Sequence, residues 1–269
     1  MRGNYQQFIQ KMLRDTSKIA MQYFGKVTGT TKPGNNNQVL TKADLEVSTF
    51  LIKKIEEMYP THNIIDEEKG VIDKKSEYTW VIDPIDGTSN FASGLPYYGV
   101  MLGLLQNNTP IAGGVSLPFF KEEYIAETGS GAYCNGRKIQ VSQEKDLLSV
   151  LVAYGIDGRQ NNPQQSHDEG KLIGELVLHI RNLRGTGSVF DTMMVANGKY
   201  GAFLSQAGRV WDNVAQHIII EEAGGVYTDF FGKPMNYKNH LQRAKETFTW
   251  CAAAPQLHKQ IQAIIHFAE

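Results

Sequence analysis

The chain has 269 residues, of which 41% are hydrophobic and 20% charged, and its formal net charge is −1. This composition is typical of a globular protein with a sizeable core, in one large domain or two smaller ones. The sequence holds no dense basic stretch, which argues against nucleic acid as the main partner. No apolar run approaches the roughly 18–20 residues of a membrane span, and no apolar signal segment follows Met1. Because two cysteines, Cys134 and Cys251, cannot form a disulfide framework, we expect a cytoplasmic protein.

The first part of the chain predicts two helices separated by a loop. Apolar residues at three- and four-residue spacings favour an amphipathic helix over residues 4–24. Residues 25–40 are polar and without periodicity, which predicts a long loop. A second helix is predicted for residues 41–59, where Asp44 follows Thr41 by three residues as the acidic partner of a capping box does. The apolar side chains expected to face inward on this helix are Leu45, Ile52, Ile55 and Met58.

Two short strands are then predicted, and both end in acidic residues. Residues 63–66 lead into Glu67 and Glu68, and the apolar run 80–82 leads into Asp83. If the two strands are parallel neighbours, Glu67 lies beside Asp83. Adjacent acids in a loop are usually solvated, so the pairing of these strands decides whether the acids meet.

The segment Asp83-Pro-Ile-Asp-Gly-Thr-Ser-Asn-Phe91 allows two interpretations. Asp, Pro, Gly, Ser and Asn all form turns, so an ordinary turn is the simpler one. However, two carboxylates this close raise each other's pKa unless a cation lies between them, and hard divalent cations prefer oxygen ligands. The Gly-Thr-Ser part also has little bulk, so its backbone N–H groups could approach a phosphate.

The next strands predict an antiparallel meander, followed by a change of pattern. Strands are expected at 99–106, 111–117 and 123–127, then a turn region at 129–136 and a strand at 138–141. After about residue 147 the pattern alternates between strands and helices: it predicts a strand at 150–154, a polar loop at 155–169, helices at 172–183 and 189–196, and a strand at 202–205. We therefore predict an α+β subdomain over residues 1–145 and an α/β subdomain over residues 146–269.

Trp211-Asp212 opens the last strong motif, a helix that ends at Gly224-Gly225. Asp212 at this helix start is typical of a residue that accepts backbone N–H groups. A strand at 248–253 and a helix from Pro255 complete the chain. The seven histidines show no paired ligand spacing, so a zinc site is not expected. The candidates for chemistry are acids at strand or helix ends: Asp44, Glu67, Glu68, Asp83, Asp86 and Asp212.

Taken together, the segment 83–91 and the motif Trp211-Asp212…Glu222-Ala-Gly-Gly225 resemble the inositol monophosphatase family of Mg²⁺-dependent, lithium-sensitive phosphatases. The likeness extends over nearly the whole chain. It implies a layered αβαβα sandwich of the sugar-phosphatase type and an enzyme that is often a homodimer. It also implies two Mg²⁺ ions per subunit and a third, loosely held one.

Carried over to this sequence, the resemblance assigns roles to the candidate residues. Glu67, Asp83 and the Ile85 carbonyl would hold one Mg²⁺, while Asp83, Asp86 and Asp212 would hold a second. A third, loosely held ion would share Glu67, with Glu68 nearby. Thr88, supported by Asp44, would orient and help deprotonate the attacking water. The backbone N–H groups of Gly87 and Thr88 would bind phosphate oxygens, and the expected substrate contacts are Gly185, Thr186, Ser188, Ser205 and Arg209.

The sequence departs from the family pattern in two places. Asp66 stands where the family commonly has glycine, and we expect it to point away from the metal ligands. Residues 205–210 lack the acid with which inositol-cleaving members contact sugar hydroxyls, and Arg209 could face an anionic substrate group instead, although a lone arginine is often merely solvated. We therefore expect a phosphomonoesterase for a small ester such as inositol monophosphate or a related sugar phosphate. The alternatives are fructose-1,6-bisphosphatase, 3′-phosphoadenosine nucleotide phosphatase, histidinol-phosphatase or NADP phosphatase activity, or a regulatory RNA- or protein-binding role.

Overall fold

The computed structural model of the protein describes residues 5–32 and 39–268, and in these ranges two β-sheets alternate with layers of helices. The α-helices are α1 (Tyr5–Tyr23), α2 (Lys42–Met58), α3 (Thr88–Ala92), α4 (Pro163–Val177), α5 (Val189–Ala196), α6 (Val210–Glu222) and α7 (Pro255–Ala268). Short 3-10 turns occupy Pro118–Phe120 and Leu147–Ser149.

The strands form one large sheet, one smaller sheet and a two-stranded ribbon. The ribbon pairs β1 (Thr30–Thr31) with β2 (Val39–Leu40). The large sheet contains β3 (Asn63–Asp66), β4 (Gly70–Ile72), β5 (Tyr78–Asp86), β6 (Gly99–Gln106), β7 (Thr109–Leu117), β8 (Glu122–Glu127), β9 (Gly131–Cys134) and β10 (Arg137–Lys138). The smaller sheet contains β11 (Leu151–Gly155), β12 (Asn182–Arg184), β13 (Ala202–Ser205), β14 (Val226–Thr228) and β15 (Trp250–Ala253).

The strand order explains why the acidic residues meet. The large sheet runs β10-β9-β8-β7-β6-β5-β3-β4, and β3 and β5 are parallel neighbours. The smaller sheet runs β12-β11-β13-β15-β14, with β11 parallel to both β12 and β13. Parallel neighbouring strands end at the same edge of a sheet. Glu67, which follows β3, and Asp83, which lies on β5, are therefore both at that edge, as the sequence predicted.

The layers follow from which helices contact which sheet. Helices α1 and α2 cover one face of the large sheet, and α6 packs against β6 and β7 on its other face. Helix α5 contacts α6 and β13, so these two helices lie between the sheets, whereas α7 contacts β15 and α4 packs on α7. This arrangement confirms the expected αβαβα sandwich. The division into two subdomains near residue 145 stays a prediction. Within the described residues, no helix combines the length and apolar character needed to cross a membrane.

Close contact between α6 and the large sheet depends on glycine. A Cβ atom at Gly113 would lie 2.9 Å from both the Cα and the carbonyl oxygen of Ala215, and one at Gly103 would lie 2.9 Å from the Ala215 backbone nitrogen. Real side chains essentially never approach so closely, so these positions let the helix lie directly on the strands. This packing fixes the axis of α6, and with it the position of Asp212 in the first turn of the helix.

Several predicted elements are confirmed and others are wrong. The meander, the strand at 202–205, and the helices near 189–196 and after Pro255 are present. On α2, however, Leu45 is 39% exposed and Met58 is 62% exposed, because the buried face is a mixed stripe that includes the polar residues Asp44 and Ser48. The polar loop predicted at 25–40 contains the short ribbon strands, and residues 33–38 of it lie outside the described residues.

Two further boundaries differ from the prediction. The segment 155–169 was predicted as a loop, but α4 begins at Pro163, which fits the first turn of a helix. That helix ends at Val177, and Leu183 belongs to the edge strand β12. The turn region 129–136 contains β9, and in place of the strand predicted at 138–141 the structure has β10, which pairs with β9, while the Val141 N–H bonds to the carbonyl of Ala223 outside the sheet.

Replacing Gly113 with alanine should destabilise the protein by about 1–3 kcal/mol, because the added methyl group meets helix backbone that cannot move independently. Urea unfolding of the Gly113→Ala variant measures this change. Gly174→Ala in α4 is the matched control, since nothing lies within 4 Å of its added methyl group. Alanine there should leave stability unchanged or raise it by up to about 1 kcal/mol. Equal effects of the two substitutions would contradict the close packing of α6.

Candidate metal and phosphate site

Three carboxylates converge where the large sheet meets α6. Asp83 and Asp86 come from the end of β5, and Asp212 comes from the first turn of α6. Each offers an oxygen, and these three oxygens all lie within 4.8 Å of one another. The register of β5 against β6 shifts between Asp83 and Asp86, at Pro84, which cannot donate a ladder hydrogen bond. This irregularity places both acids of one strand at the same site.

The surroundings of these acids favour their protonated forms when no cation is present. Burial, followed by repulsion from Glu67, raises the pKa of Asp83 well above its usual value, and burial and Asp212 do the same for Asp86. Loss of solvation raises the pKa of Asp212 to about 6. The Oδ1 atom of Asp83 is buried and has no hydrogen-bond partner among the described residues. An orphaned acceptor oxygen within an all-oxygen cluster matches the donor set of a hard divalent cation.

Glu67 and Glu68 follow β3 and face a lysine. The Nζ atom of Lys32 lies 2.8 Å from Oε1 of Glu67 and 2.7 Å from Oε1 of Glu68. Burial raises the pKa of Glu67 to about 7, although the charge of Lys32 opposes this rise. Glu67 lines the same two cavities as Asp86 and Asp212. The structure therefore brings Glu67 to the cluster, with a lysine ammonium as its direct partner.

Asp66 points away from the cluster, as expected, and its role becomes visible in the structure. Its buried side chain accepts hydrogen bonds from the Ser48 hydroxyl at 3.0 Å and from the backbone N–H groups of Glu68 at 2.9 Å and Lys69 at 2.7 Å. A glycine could not make these bonds. Asp66 thus fixes the turn that presents Glu67 and Glu68, and ties it to α2.

Thr88 and Asp44 form a pair beside the cluster. The Thr88 hydroxyl lies 3.3 Å from Oδ1 of Asp44 and 2.8 Å from the carbonyl oxygen of Ile85. Because it carries one hydrogen, it donates to one of these acceptors at a time. Asp44 also accepts the Thr41 N–H at 2.8 Å, which confirms the predicted capping box of α2. Burial raises the pKa of Asp44 to about 6.

The start of α3 closes against the segment 185–188. Gly87 has a φ of +81°, and a Cβ atom there would lie 2.8 Å from both Cβ of Ser188 and the carbonyl oxygen of Tyr97, so glycine is required. The Asn90 side chain donates to the carbonyls of Tyr97 and Thr186, each at 2.8 Å. The backbone N–H groups at the start of α3 are therefore held at a fixed distance from residues 185–188.

The predicted substrate residues divide between two adjoining cavities. Gly185 and Thr186 line a smaller cavity together with the start of α3, whereas Ser188, Ser205 and Arg209 line a larger one of about 600 Å³. Asp191 orders the loop before α5, since its carboxylate accepts the Thr186 N–H at 2.7 Å. The Ser205 hydroxyl is buried and is engaged by the backbone of Ala207, as donor at 2.9 Å and acceptor at 3.1 Å.

The loop between Ser205 and Asp212 is tightly constrained. A Cβ atom at Gly208 would lie 2.4 Å from the indole ring of Trp250 and 3.1 Å from Oδ2 of Asp212. The same Oδ2 atom accepts the Arg209 N–H at 2.5 Å, as predicted for an acid in the first turn of a helix. This loop therefore links the position of Asp212 to the wall of the larger cavity.

Comparison with known proteins assigns the chain to a family. The model of the inositol monophosphatase family matches residues 4–267, which is nearly the entire sequence. The chain belongs to the inositol monophosphatase family. It is 33% identical over 230 residues to the fructose-1,6-bisphosphatase/inositol-1-monophosphatase of Thermotoga maritima, covering 85% of this chain and 86% of that protein.

Two further comparisons extend this result. The chain is 33% identical over 232 residues to the Nus factor SuhB of Vibrio cholerae, covering 86% of this chain and 81% of that protein. Among solved structures, the Thermotoga maritima IMPase superimposes with a TM-score of 0.85 at 29% identity, covering 97% of this chain and 96% of that one. The inositol monophosphatase family is Mg²⁺-dependent and acts on small phosphorylated substrates. The orphaned Asp83 oxygen and the three converging carboxylates fit that metal.

The structure contains a buried polar network behind Asp212 that the sequence analysis did not find. The Tyr227 hydroxyl donates to Oδ1 of Asn213 at 2.8 Å and accepts from Nε2 of Gln216 at 2.7 Å. Asn213 in turn donates to the carbonyl of Arg209 at 2.7 Å, while Gln216 accepts from Thr192 at 2.5 Å. The network ties the first turn of α6 to β14 and α5. Spacing along α6 gave no signal for it, because the partner residues are distant in sequence.

Metal-free protein should be less stable at pH 7.5 than at pH 5.5. The pKa values of Asp44, Glu67 and Asp212 are raised to about 6, 7 and 6 in the folded state. The folded state therefore binds more protons than the unfolded chain between about pH 4 and 7, and stability falls as the pH rises through this window. Urea unfolding in EDTA should show a loss on the order of 2–4 kcal/mol, which millimolar Mg²⁺ should offset at pH 7.5.

The Asp212→Asn variant is the control for this pH dependence. It removes one charge from the cluster and should flatten the decline in stability. Burial lowers the pKa values of His62, His240 and His258, whose effect has the opposite sign but is shared by the variant and the wild type. An identical pH dependence in the two proteins would show that the acidic cluster does not cause it.

The Tyr227→Phe substitution should weaken Mg²⁺ binding as well as stability. It leaves Oδ1 of Asn213 and Nε2 of Gln216 without their partner, at a cost of about 1–3 kcal/mol. The measurement is the Mg²⁺ concentration that gives half of the maximal rise in Tm. Tyr124→Phe is the matched control, since the buried hydroxyl of Tyr124 donates to Glu122 and lies outside the cluster. A shift of the Mg²⁺ midpoint in both variants, or in neither, would refute the link to Asp212.

Proposed function

We propose that this protein is a Mg²⁺-dependent phosphomonoesterase that hydrolyses a small phosphate ester, such as inositol monophosphate or a related sugar or polyol phosphate. The observation that carries the proposal is the convergence of Asp83, Asp86 and Asp212 within 4.8 Å, with Oδ1 of Asp83 buried and without a hydrogen-bond partner among the described residues. Family membership supports the same reaction class. The Thermotoga relative is named a fructose-1,6-bisphosphatase/inositol-1-monophosphatase, so fructose 1,6-bisphosphate and inositol 1-phosphate are two substrates to test first.

We assign the metal ligands from this cluster together with family membership. Asp83, Asp86, Asp212, Glu67 and the carbonyl oxygen of Ile85 would hold two Mg²⁺ ions, with a third sharing Glu67. A carbonyl oxygen has two lone pairs, so Ile85 can accept from Thr88 and still serve a cation. When bound, Mg²⁺ supplies positive charge to the phosphate oxygens and lowers the pKa of water. Lys32 forms an ion pair with Glu67 and would have to share that carboxylate with the Mg²⁺ ion.

The chain supplies the path for the proton. When the Thr88 hydroxyl donates to Asp44, a lone pair on its oxygen is free to accept a hydrogen bond from the attacking water. Asp44, whose burial raises its pKa to about 6, is then a suitable acceptor for the proton that passes through Thr88. Glu68 lies at the edge of this group, held by Lys32 at 2.7 Å, and would assist through its charge.

The remaining residues orient the ester. Backbone N–H groups of Gly87 and Thr88, at the start of α3, would bind phosphate oxygens, since first-turn N–H groups have no partner within a helix. The segment 185–188 and Arg209 would contact the alcohol part of the substrate. Ser205 is engaged with its own loop, so we assign it a role in shaping that loop.

A second candidate function comes from the relative named Nus factor SuhB. Its similarity to this chain is as extensive as that of the phosphatase relative, so a regulatory binding role is the alternative. The net charge of −1 supplies no general attraction for RNA. The two roles are separable, because a binding role would survive substitutions that abolish phosphate release.

Phosphate release over a substrate panel tests the proposal. The panel contains inositol 1-phosphate, fructose 1,6-bisphosphate, 3′-phosphoadenosine 5′-phosphate, histidinol phosphate and NADP, each with Mg²⁺ and with EDTA. We expect Mg²⁺-dependent turnover of at least one substrate. Asp86→Asn should lower kcat/KM by at least about 100-fold, and Thr88→Ala and Asp44→Asn by about 100-fold to 10,000-fold.

Asp73→Asn is the control, because this aspartate lies on the surface with Lys75 as its partner. It should retain full activity. A folded protein that binds Mg²⁺ but turns over none of the five compounds would move the assignment to the regulatory alternative. Turnover that persists in Asp86→Asn would show that the carboxylate cluster is not the reaction centre.

A further inference from the structure

The larger cavity extends beyond the carboxylate cluster, and two arginines lie in its wall. Arg159 comes from the loop that follows β11, and Arg209 precedes α6. The cavity volume of about 600 Å³ falls within the range of about 300–1,000 Å³ typical of small-molecule sites. The sequence analysis treated residues 155–169 as an undifferentiated polar loop and did not find Arg159.

Arg159 is held in place by buried partners. Its Nη2 atom donates to the carbonyl of Gln206 at 2.8 Å, and its Nε atom lies 3.4 Å from the carboxylate of Glu169. Glu169 is 2% exposed and also accepts from the Tyr154 hydroxyl at 3.3 Å. These contacts use one edge of the guanidinium and leave Nη1 without a partner among the described residues. A guanidinium fixed in this way loses little entropy on binding a ligand.

Arg209 offers a second guanidinium in the same wall. Its Nη1 atom donates to the Thr247 hydroxyl at 2.9 Å, and no carboxylate side chain of the described residues forms an ion pair with it within 4 Å. An arginine that lines a cavity without a paired carboxylate retains its charge for a ligand. Arginine is also the residue best suited to bind phosphate with two parallel hydrogen bonds.

The charges lining the cavity divide into two groups. Glu67, Asp86 and Asp212 belong to the carboxylate cluster, whose charge bound cations would compensate. Outside the cluster, the charged lining residues are Arg159, Arg209 and Asp157. Asp157 and Glu169, which is paired with Arg159, balance the two arginine charges. The wall would therefore favour an anion over a neutral sugar hydroxyl through the directed N–H groups of its guanidiniums, and not through net charge.

We infer that Arg159 and Arg209 form a binding site for a second phosphate. The preferred substrate then carries another phosphate besides the one that is hydrolysed, and in this respect the inference rests on the proposed function. The hydrolysed phosphate lies at the carboxylate cluster, and the second occupies the wall between the loop after β11 and the start of α6. Bisphosphorylated sugars and nucleoside bisphosphates share this chemistry. A substrate with one phosphate and only neutral hydroxyl groups leaves both guanidiniums without a ligand.

Matched substrates test the inference. We would measure kcat/KM for fructose 1,6-bisphosphate against fructose 1-phosphate, and for 3′-phosphoadenosine 5′-phosphate against adenosine 3′-phosphate, with Mg²⁺. The wild type should prefer the second phosphate in at least one pair, and the pair with the stronger preference identifies the carrier. Arg159→Gln and Arg209→Gln should each lower that preference about tenfold, the usual loss for one charged hydrogen bond, with the monophosphate measured on the same variant as the reference.

Controls separate this effect from general damage. Arg137→Gln, at an exposed position of edge strand β10, should leave the preference unchanged. Because loss of Arg159 leaves Glu169 buried and unpaired, Arg159→Lys, which keeps the charge, should fold and retain part of the preference. Equal kcat/KM for both members of each pair, or a preference unchanged in both glutamine variants, would overturn the inference.

The test also separates this inference from the proposed function. If no compound is hydrolysed, the phosphatase assignment fails, and the same ratios are then measured as Kd values by calorimetry with Mg²⁺. A tighter Kd for the compound with two phosphates, lost in Arg209→Gln, supports the second-phosphate site even without catalysis. Equal Kd values within each pair refute it.

Discussion

Repulsion among Asp83, Asp86 and Asp212 is the constraint on which the architecture depends. Carboxylates that share one site at neutral pH move apart or become protonated unless rigid elements and cations hold them together. The fold supplies stiff supports on both sides of the site. One is β5, hydrogen-bonded to β3 and β6, and the other is α6, which lies on the glycines of the large sheet and is anchored from behind by Tyr227. Part of the favourable free energy of core packing thus offsets the repulsion between these carboxylates and keeps them at a distance that suits divalent cations.

The parts that would perform the chemistry and the parts that would recognise the substrate come from different elements. The cluster lies on β5 and α6, Thr88 on α3 and Asp44 on α2, where backbone pairing and capping fix each position. The wall of the larger cavity comes mainly from the loop after β11 and from residues that precede α6. This separation accounts for a family whose members bear the names of different activities, since one reaction centre can be combined with different walls.

The sequence predicted the convergence of the acids better than the surroundings of the site, for physical reasons. Asp83 and Asp212 lie at the ends of strongly patterned elements, so their position follows from periodicity and from the parallel pairing of β3 with β5. Leu45 and Met58 were misplaced because the inward face of α2 includes polar residues, which periodicity treats as exposed. Arg159 and Lys32 could not be found at all. Their importance depends on contacts with Glu169 and Glu67, formed only once the chain has folded.

The glycine at position 208 has an evolutionary consequence. Any side chain there would collide with Trp250 and crowd Asp212, so this point of the cavity wall cannot vary without displacing Asp212. The loop that carries Arg159 is less restricted at its neighbouring glycine, because a Cβ atom added at Gly158 would meet no atom of the described residues within 4 Å. Amino-acid substitutions are therefore better tolerated on the side of the cavity that is formed by the loop after β11. Exchange of this loop would change the recognition side of the cavity, while the opposite side keeps Asp212 in place.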